Sequence, residues 1–288
     1  MSQIAESSLP VRVYTPESPL RRPVEMAREM AADLYASREL AWRLFVRDIS
    51  AQYRQSLLGY AWVLLPPLLS TLVWVFLNSQ GILNLAPTGI PYPVYVLTGL
   101  LLWESFGAAL NAPCTQVASA AALLSKINFP REALLLAGLG HVLFNTGVRL
   151  LLLAGVLLWF QLPVPATIVL APLGILAVIG LGFMLGLLLV PVSALYQDVA
   201  RVITAGLSIL FFLTPVVYTP PTAWPASLLV QFNPVSPLLI TTREMLTTGE
   251  FSNLGGFFAI SGVTFVGLIA GLILYRLSMP HMIARMNA

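Results

Sequence analysis

His141, Asn145 and Arg149 follow one another at four-residue spacing, so on a helix they share one face. They lie inside a long apolar run, where an ionisable group is costly and is usually paired or turned toward a cavity. Glu104 lies in the middle of the preceding apolar run. Consecutive membrane spans run antiparallel, so Glu104 and Arg149 come to a similar depth. This predicts an ion pair that fixes the packing of the two helices. A proton relay through His141, Arg149 and Glu104 is the chemical alternative, but the other apolar runs hold no further carboxylate to extend it.

Other chemistries find no residues to carry them. A single cysteine, Cys114, excludes an intrachain disulfide and any multi-cysteine metal site. The two histidines, His141 and His281, are far apart, and neither belongs to a metal motif. The lysine Lys126 follows Leu-Leu-Ser rather than the glycine-rich stretch that cradles phosphates, so ATP hydrolysis by this chain is not expected. Neither HExxH nor GxSxG occurs. No catalytic residue and no metal ligand is assigned, and nucleic acid is not an expected partner.

Aromatic residues recur within the apolar runs: Trp74 and Phe76, Trp103 and Phe106, then Phe211, Phe212 and Tyr218. Lipid contact and interfacial belts account for such rings. Their functional reading is the lining of a path, since flat aromatic faces suit sugar rings and let a polymer slide without strong directional bonds.

These residues need long apolar elements to position them. Of the 288 residues, 58% are hydrophobic and only 9% charged, where a soluble domain carries about a quarter charged residues. Apolar stretches at 60–77, 94–112, 133–160, 168–189, 202–218 and 257–277 predict an all-α membrane protein with about six transmembrane helices. Pro66 and Pro67 should kink or loosen the first. Between the fifth and sixth, 219–255 is rich in Pro, Thr and Asn. Its apolar pieces are too short to cross, and predict short re-entrant helices.

Before the first span, 38–58 reads as an amphipathic helix lying in the membrane interface, with Ser37 as its N-cap. Trp42, Phe45, Ile49, Tyr53 and Leu57 form its apolar face, and Arg43, Arg47 and Arg54 its polar one. Gly59 then lets the chain turn into the bilayer. The organisation expected is a cytoplasmic tail over 1–37, the interfacial helix over 38–59, a six-span domain over 60–278 and a cytoplasmic tail over 279–288. No apolar h-region follows Met1, so a cleavable secretory signal is not expected. With both termini inside, Arg43, Arg47, Arg54, Lys126, Arg131, Arg201, Arg276 and Arg285 fall on cytoplasmic segments, against Arg243 alone outside. That asymmetry sets the orientation.

Four passages, in order, resemble the permeases of type-2 ABC exporters, in the polysaccharide-export branch that serves O-antigen, capsule and teichoic acid. They are Leu44-Phe45-Val46-Arg47-Asp48-Ile49 through Tyr53-Arg54-Gln55-Ser56-Leu57-Leu58-Gly59-Tyr60-Ala61-Trp62; Lys126-Ile127-Asn128-Phe129-Pro130-Arg131-Glu132; Leu195-Tyr196-Gln197-Asp198-Val199; and Leu213-Thr214-Pro215-Val216-Val217-Tyr218 with Trp224-Pro225 and Asn233-Pro234. The resemblance covers about 38–278, and the extended N-terminal tail departs from it.

The resemblance implies a homodimer in the bacterial inner membrane, joined by two cytosolic ATPase subunits that bind ATP and Mg, with no cofactor in this chain. It implies ATPase-coupling roles for Lys126, Phe129, Pro130, Arg131 and Glu132, and places Arg47, Asp48, Tyr53, Arg54 and Gly59 on the interfacial helix. It implies a channel whose walls come from the first, second and fifth spans, and a lipid-linked polysaccharide moved outward. An ABC exporter of lipids or drugs shares this architecture. A proton-coupled secondary transporter would need a carboxylate relay and an internal repeat, and a membrane glycosyltransferase would need paired acids at a membrane face. None of these features is evident.

Overall fold

In a computed structural model, residues 23–286 are described apart from 55, 83–86, 121–129 and 197. Among these residues the protein is all-helical. The helices are α1 (Pro23–Tyr53), α2 (Ala61–Ser79), α3 (Tyr92–Ser119), α4 (Glu132–Trp159), α5 (Ala171–Ser193), α6 (Val199–Leu213), α7 (Ala226–Phe232), α8 (Val235–Thr247) and α9 (Leu254–Met286). A short 3-10 turn, Ala166–Leu170, leads into α5. The all-α membrane class expected from the sequence holds: among the described residues, five helical stretches are long and apolar enough to cross a bilayer.

Helix α3 is the central post. Its residues are buried along most of their length, and α2, α4, α5, α6 and α8 all pack around it. It meets α5 at backbone distance. A side chain at Gly182 would collide with the Phe106 carbonyl, and one at Gly186 with the Leu110 carbonyl. Small residues of this kind are the usual means of tight helix association in lipid, where there is no hydrophobic drive between helices. On its other side α5 packs against α9.

The expected fifth span is the one that differs. The helix α6 is 15 residues long, roughly 22 Å at 1.5 Å per residue, against a hydrocarbon core of about 30 Å. The chain leaves helical geometry at Thr214, two residues after Phe212 and just before Pro215. The continuous apolar run 202–218 therefore reads as one span but is a short helix followed by a non-helical segment.

The α1 end also departs from expectation. The helix is continuous from Pro23 to Tyr53. Ser37 does not cap it: Ser37 is buried inside the helix and its hydroxyl donates to the Asp33 carbonyl at 2.6 Å. The side chains buried by α1 are Ala41, Leu44 and Ile49, with Phe45 beside them, while Trp42 is 64% exposed and Leu57 lies fully outside. The inward stripe is thus rotated by about one residue from the face read off the sequence. After Tyr53 the chain turns at Gly59, whose φ of 50° suits glycine, and the Gly59 amide donates to the Ser56 hydroxyl at 3.1 Å. At the other terminus α9 runs on to Met286, so 279–286 continues the last helix instead of forming a separate tail.

Candidate functional site

At the α1 end, three elements converge. Aromatic contacts seat α1 on α4: the Phe45 and Phe144 rings lie 6.1 Å apart, and Tyr60 reaches the same Phe144 at 5.7 Å. Arg276 of α9 then grips the first half of α1, at 2.9 Å from Asp33 and 3.2 Å from Glu29. The neighbouring Tyr275 is buried and donates to the Arg131 carbonyl at 3.0 Å. Two consecutive residues of α9 therefore hold both α1 and the start of α4. Glu132 sits in the first turn of α4, where a carboxylate complements the helix dipole.

The sequence-predicted residues of this end are dispersed over its surface. Arg43 pairs with Glu39 at 2.6 Å and Arg47 with Asp48 at 2.7 Å, both along α1 itself. Arg54 and Pro130 are exposed, and Arg131 and Glu132 are partly so. Tyr53 closes α1, but its side chain is outside the description. Lys126 and Phe129 lie outside the described residues.

The intramembrane polar groups do come together. Arg149 meets Glu104 at 3.2 Å, both side chains mostly shielded. One residue along on α3 and three back on α4, the Thr146 hydroxyl donates to Ser105 at 3.0 Å. The α3–α4 seam thus carries a charged and a neutral polar contact at one level. His141 and Asn145 continue the Arg149 stripe toward the α1 end, where they line a cleft between α1, α3 and α4.

The aromatic candidates divide. Trp74 of α2, Trp103 of α3 and Phe211 of α6 form a run of rings, with Phe211 at 6.4 Å from Trp74 and 5.7 Å from Trp103. Phe106 extends it beyond Trp103, and Phe212 branches from Phe211. Phe106 is fully buried and Trp103 nearly so, so neither ring is open at the surface of this chain. Phe76 and Phe212 are exposed, and Tyr218 is half-buried, donating its hydroxyl to the Phe212 carbonyl.

At the opposite end the break after α6 is filled by groups that the sequence reading missed. A non-helical backbone at membrane depth must have its carbonyls satisfied by protein. The Arg243 guanidinium does this for Pro215 and Val216, at 3.1 and 2.6 Å. Tyr92 and Tyr95 donate to the Val217 and Tyr218 carbonyls at 3.1 and 2.9 Å. The Arg243 guanidinium also stacks over the Tyr95 ring at 3.9 Å. Asn233 ties α7 to the end of α6, donating to Thr214 Oγ1 at 2.7 Å and accepting from the Val235 amide at 2.9 Å. Arg243 is 4% exposed, and is not the loop cation assumed in counting charges for orientation. A lone arginine set among Leu239, Ile240, Met245 and Leu246 was the available signal for a buried cation seeking carbonyls.

No family model matches the chain. Curated relatives do. An O-antigen export system permease protein RfbA of Myxococcus xanthus is 26% identical over 246 residues, spanning 84% of this chain and 93% of the relative. Two proteins of the same name from Klebsiella pneumoniae are 23% identical over 231 residues and 22% over 211, covering 77% and 70% of this chain and 84% and 78% of their own. The chain is similar to O-antigen export permeases over most of its length. The resemblance carried by the four sequence passages is thereby borne out.

Proposed function

We propose that this chain is the membrane-spanning subunit of an ATP-driven exporter that moves a lipid-linked polysaccharide outward across the inner membrane. In this reading the chain works as a homodimer with two cytosolic ABC ATPase subunits, which supply the ATP and Mg sites. The observation that carries it is the similarity to O-antigen export permeases along 84% of the chain. A permease without a phosphate-binding loop needs such a partner. Both termini lie in the cytoplasm, and the α1 end faces the ATPases. The coupling surface comprises Lys126, Phe129, Pro130, Arg131 and Glu132 with the exposed side of α1. The Arg276 and Tyr275 contacts support this assignment, because they bind α1 and the start of α4 into one unit that can receive a push. The bare sides of α2 and α6, which flank α3, form the dimer's channel face with Phe76 and Phe212.

Deleting the gene in a cell that displays the glycan tests this. The surface polysaccharide disappears, glycan accumulates on the inner side, and supplying the chain restores display. Unchanged surface glycan in the deletion strain contradicts the proposal.

A further inference from the structure

The cleft between α1, α3 and α4 has a volume of about 300 Å³, at the lower limit of small-molecule sites. Asp48 and Gln52 reach it from α1, Asn111 and Gln116 from α3, and His141 and Asn145 from α4. Three helices thus direct amides, a carboxylate and an imidazole into one space. Asn145 Oδ1 is buried and has no hydrogen-bond partner among the described residues, although a buried acceptor without a donor costs free energy. The Asn111 amide donates to the Gly107 carbonyl at 2.9 Å, which fixes its side chain along α3.

The donor set is selective. A side-chain amide offers both donors and an acceptor, and a hydroxyl is likewise both, so amides suit polyols. Phosphate and carboxylate ligands call for arginine or lysine, and among the described residues neither lines the cleft. The charged lining group Asp48 repels anions, and its Oδ1 already receives the Arg47 guanidinium. Ala112 and Gly138 leave a small apolar floor suited to the C–H face of a sugar ring.

The cleft also leads onward. His141, Asn145 and Arg149 form a stripe on α4, and Asn111 and Glu104 stand on the facing side of α3, roughly 10 Å apart along its axis. A polar track therefore runs from the α1 end to the middle of the span.

We propose that this cleft is a binding site for an uncharged, hydroxyl-rich sugar, which the cargo presents as it enters from the cytoplasmic side. The site rests on the export function proposed above, and names the place in this chain where the glycan is first held.

Photo-crosslinking in glycan-producing cells tests it. Benzoylphenylalanine is placed at Gln52 on the cleft rim, at Phe212 on the bare side of α6, and at Leu151 as an outward-facing control. The full exporter is irradiated in its membrane, and adducts are stained for glycan and for phospholipid. A glycan adduct at Gln52 but not at Leu151 is expected, falling about tenfold with Asn145→Leu, the scale of one well-placed hydrogen bond. Asn111→Leu removes a second lining amide from a helix that tolerates leucine and should lower the adduct by a smaller factor at unchanged chain abundance, which covers the case in which Asn145→Leu fails to fold. Glycan at Phe212 with only phospholipid at Gln52 overturns the site and leaves the export function standing. Glycan at neither position overturns both. Glycan at Gln52 that neither substitution changes, or that appears equally at Leu151, overturns the recognition claim.

Discussion

Helices α6 and α8 are close in sequence and similar in length, at 15 and 13 residues, but they are opposite in composition and in burial. The helix α6 is apolar and almost bare, with Ile203 its one buried residue. The helix α8 carries Ser236, Thr241, Thr242, Arg243 and Thr247, yet it is buried at every position except Glu244. In water this would be inside out. In a bilayer it follows from the solvent: hydrocarbon tolerates an apolar surface and rejects unsatisfied polar groups, so the polar helix must be enclosed by protein. The bare helix is free to meet lipid or a second copy of the chain. The comparison separates a cap held by hydrogen bonds from an apolar surface that the chain itself leaves uncovered.

The largest expected effect comes from removing the guanidinium that holds the cap. Arg243→Leu leaves the Pro215 and Val216 carbonyls without donors and should cost roughly 2–4 kcal/mol. Arg243→Lys should recover only part of this, because one ammonium nitrogen can still donate to both carbonyls, as the single Nη2 does, but cannot stack flat on Tyr95. Thermal unfolding of the solubilised chain checks both, and equal stability of Arg243→Leu and the parent would break the account of the cap.

Asn233→Ala removes one side chain that bridges α6, α7 and α8, and a loss of about 1–2 kcal/mol is expected. The same unfolding assay reads it. An effect larger than that of Arg243→Leu would move the keystone of this end from the arginine to the asparagine.

The α3–α4 seam should respond more weakly. Glu104→Gln and Arg149→Gln are each destabilising, and the double variant should lose less than the sum, by about 0.6 kcal/mol, the average for polar contacts between membrane helices. Strict additivity in a double-mutant cycle argues against an energetic role for the contact seen at 3.2 Å.

The smallest change in stability is expected on α6. Ile209 and Phe212 are 65% and 67% exposed, so Ile209→Ser or Phe212→Ser should shift unfolding of the isolated chain by less than about 0.5 kcal/mol. On the homodimer proposed above, the same substitutions should lower the dimeric fraction measured by single-molecule photobleaching in vesicles. A stability loss as large as that of Arg243→Leu would erase the distinction between the two helices.

Much of the fold was legible because membrane spans announce themselves by length alone, and four passages in order carried the resemblance to polysaccharide exporters. Where the reading failed, the periodic signal was the same for two structures. An apolar run such as 202–218 looks alike whether or not the helix breaks inside it, although Thr214-Pro215 marked the place. The mixed-charge stretch 24–35 reads as a short helix within a tail until its acids, Glu29 and Asp33, are seen to meet an arginine far along the chain. Arg243 was misplaced because a charge count treats every cation between spans as solvated. The pairing of Glu104 with Arg149 was readable because depth follows from helix rise in two antiparallel spans. The cleft was not, since Asp48, Asn111 and Asn145 come from helices whose rotations sequence does not fix.

Native mass spectrometry of the tagged chain, gently released from its membrane, tests the central claim most directly. The account predicts two copies of this chain with two copies of an ATPase that bears a phosphate-binding loop. A chain that is released alone, stable and folded, with transport that needs a proton gradient and no ATP, would contradict it.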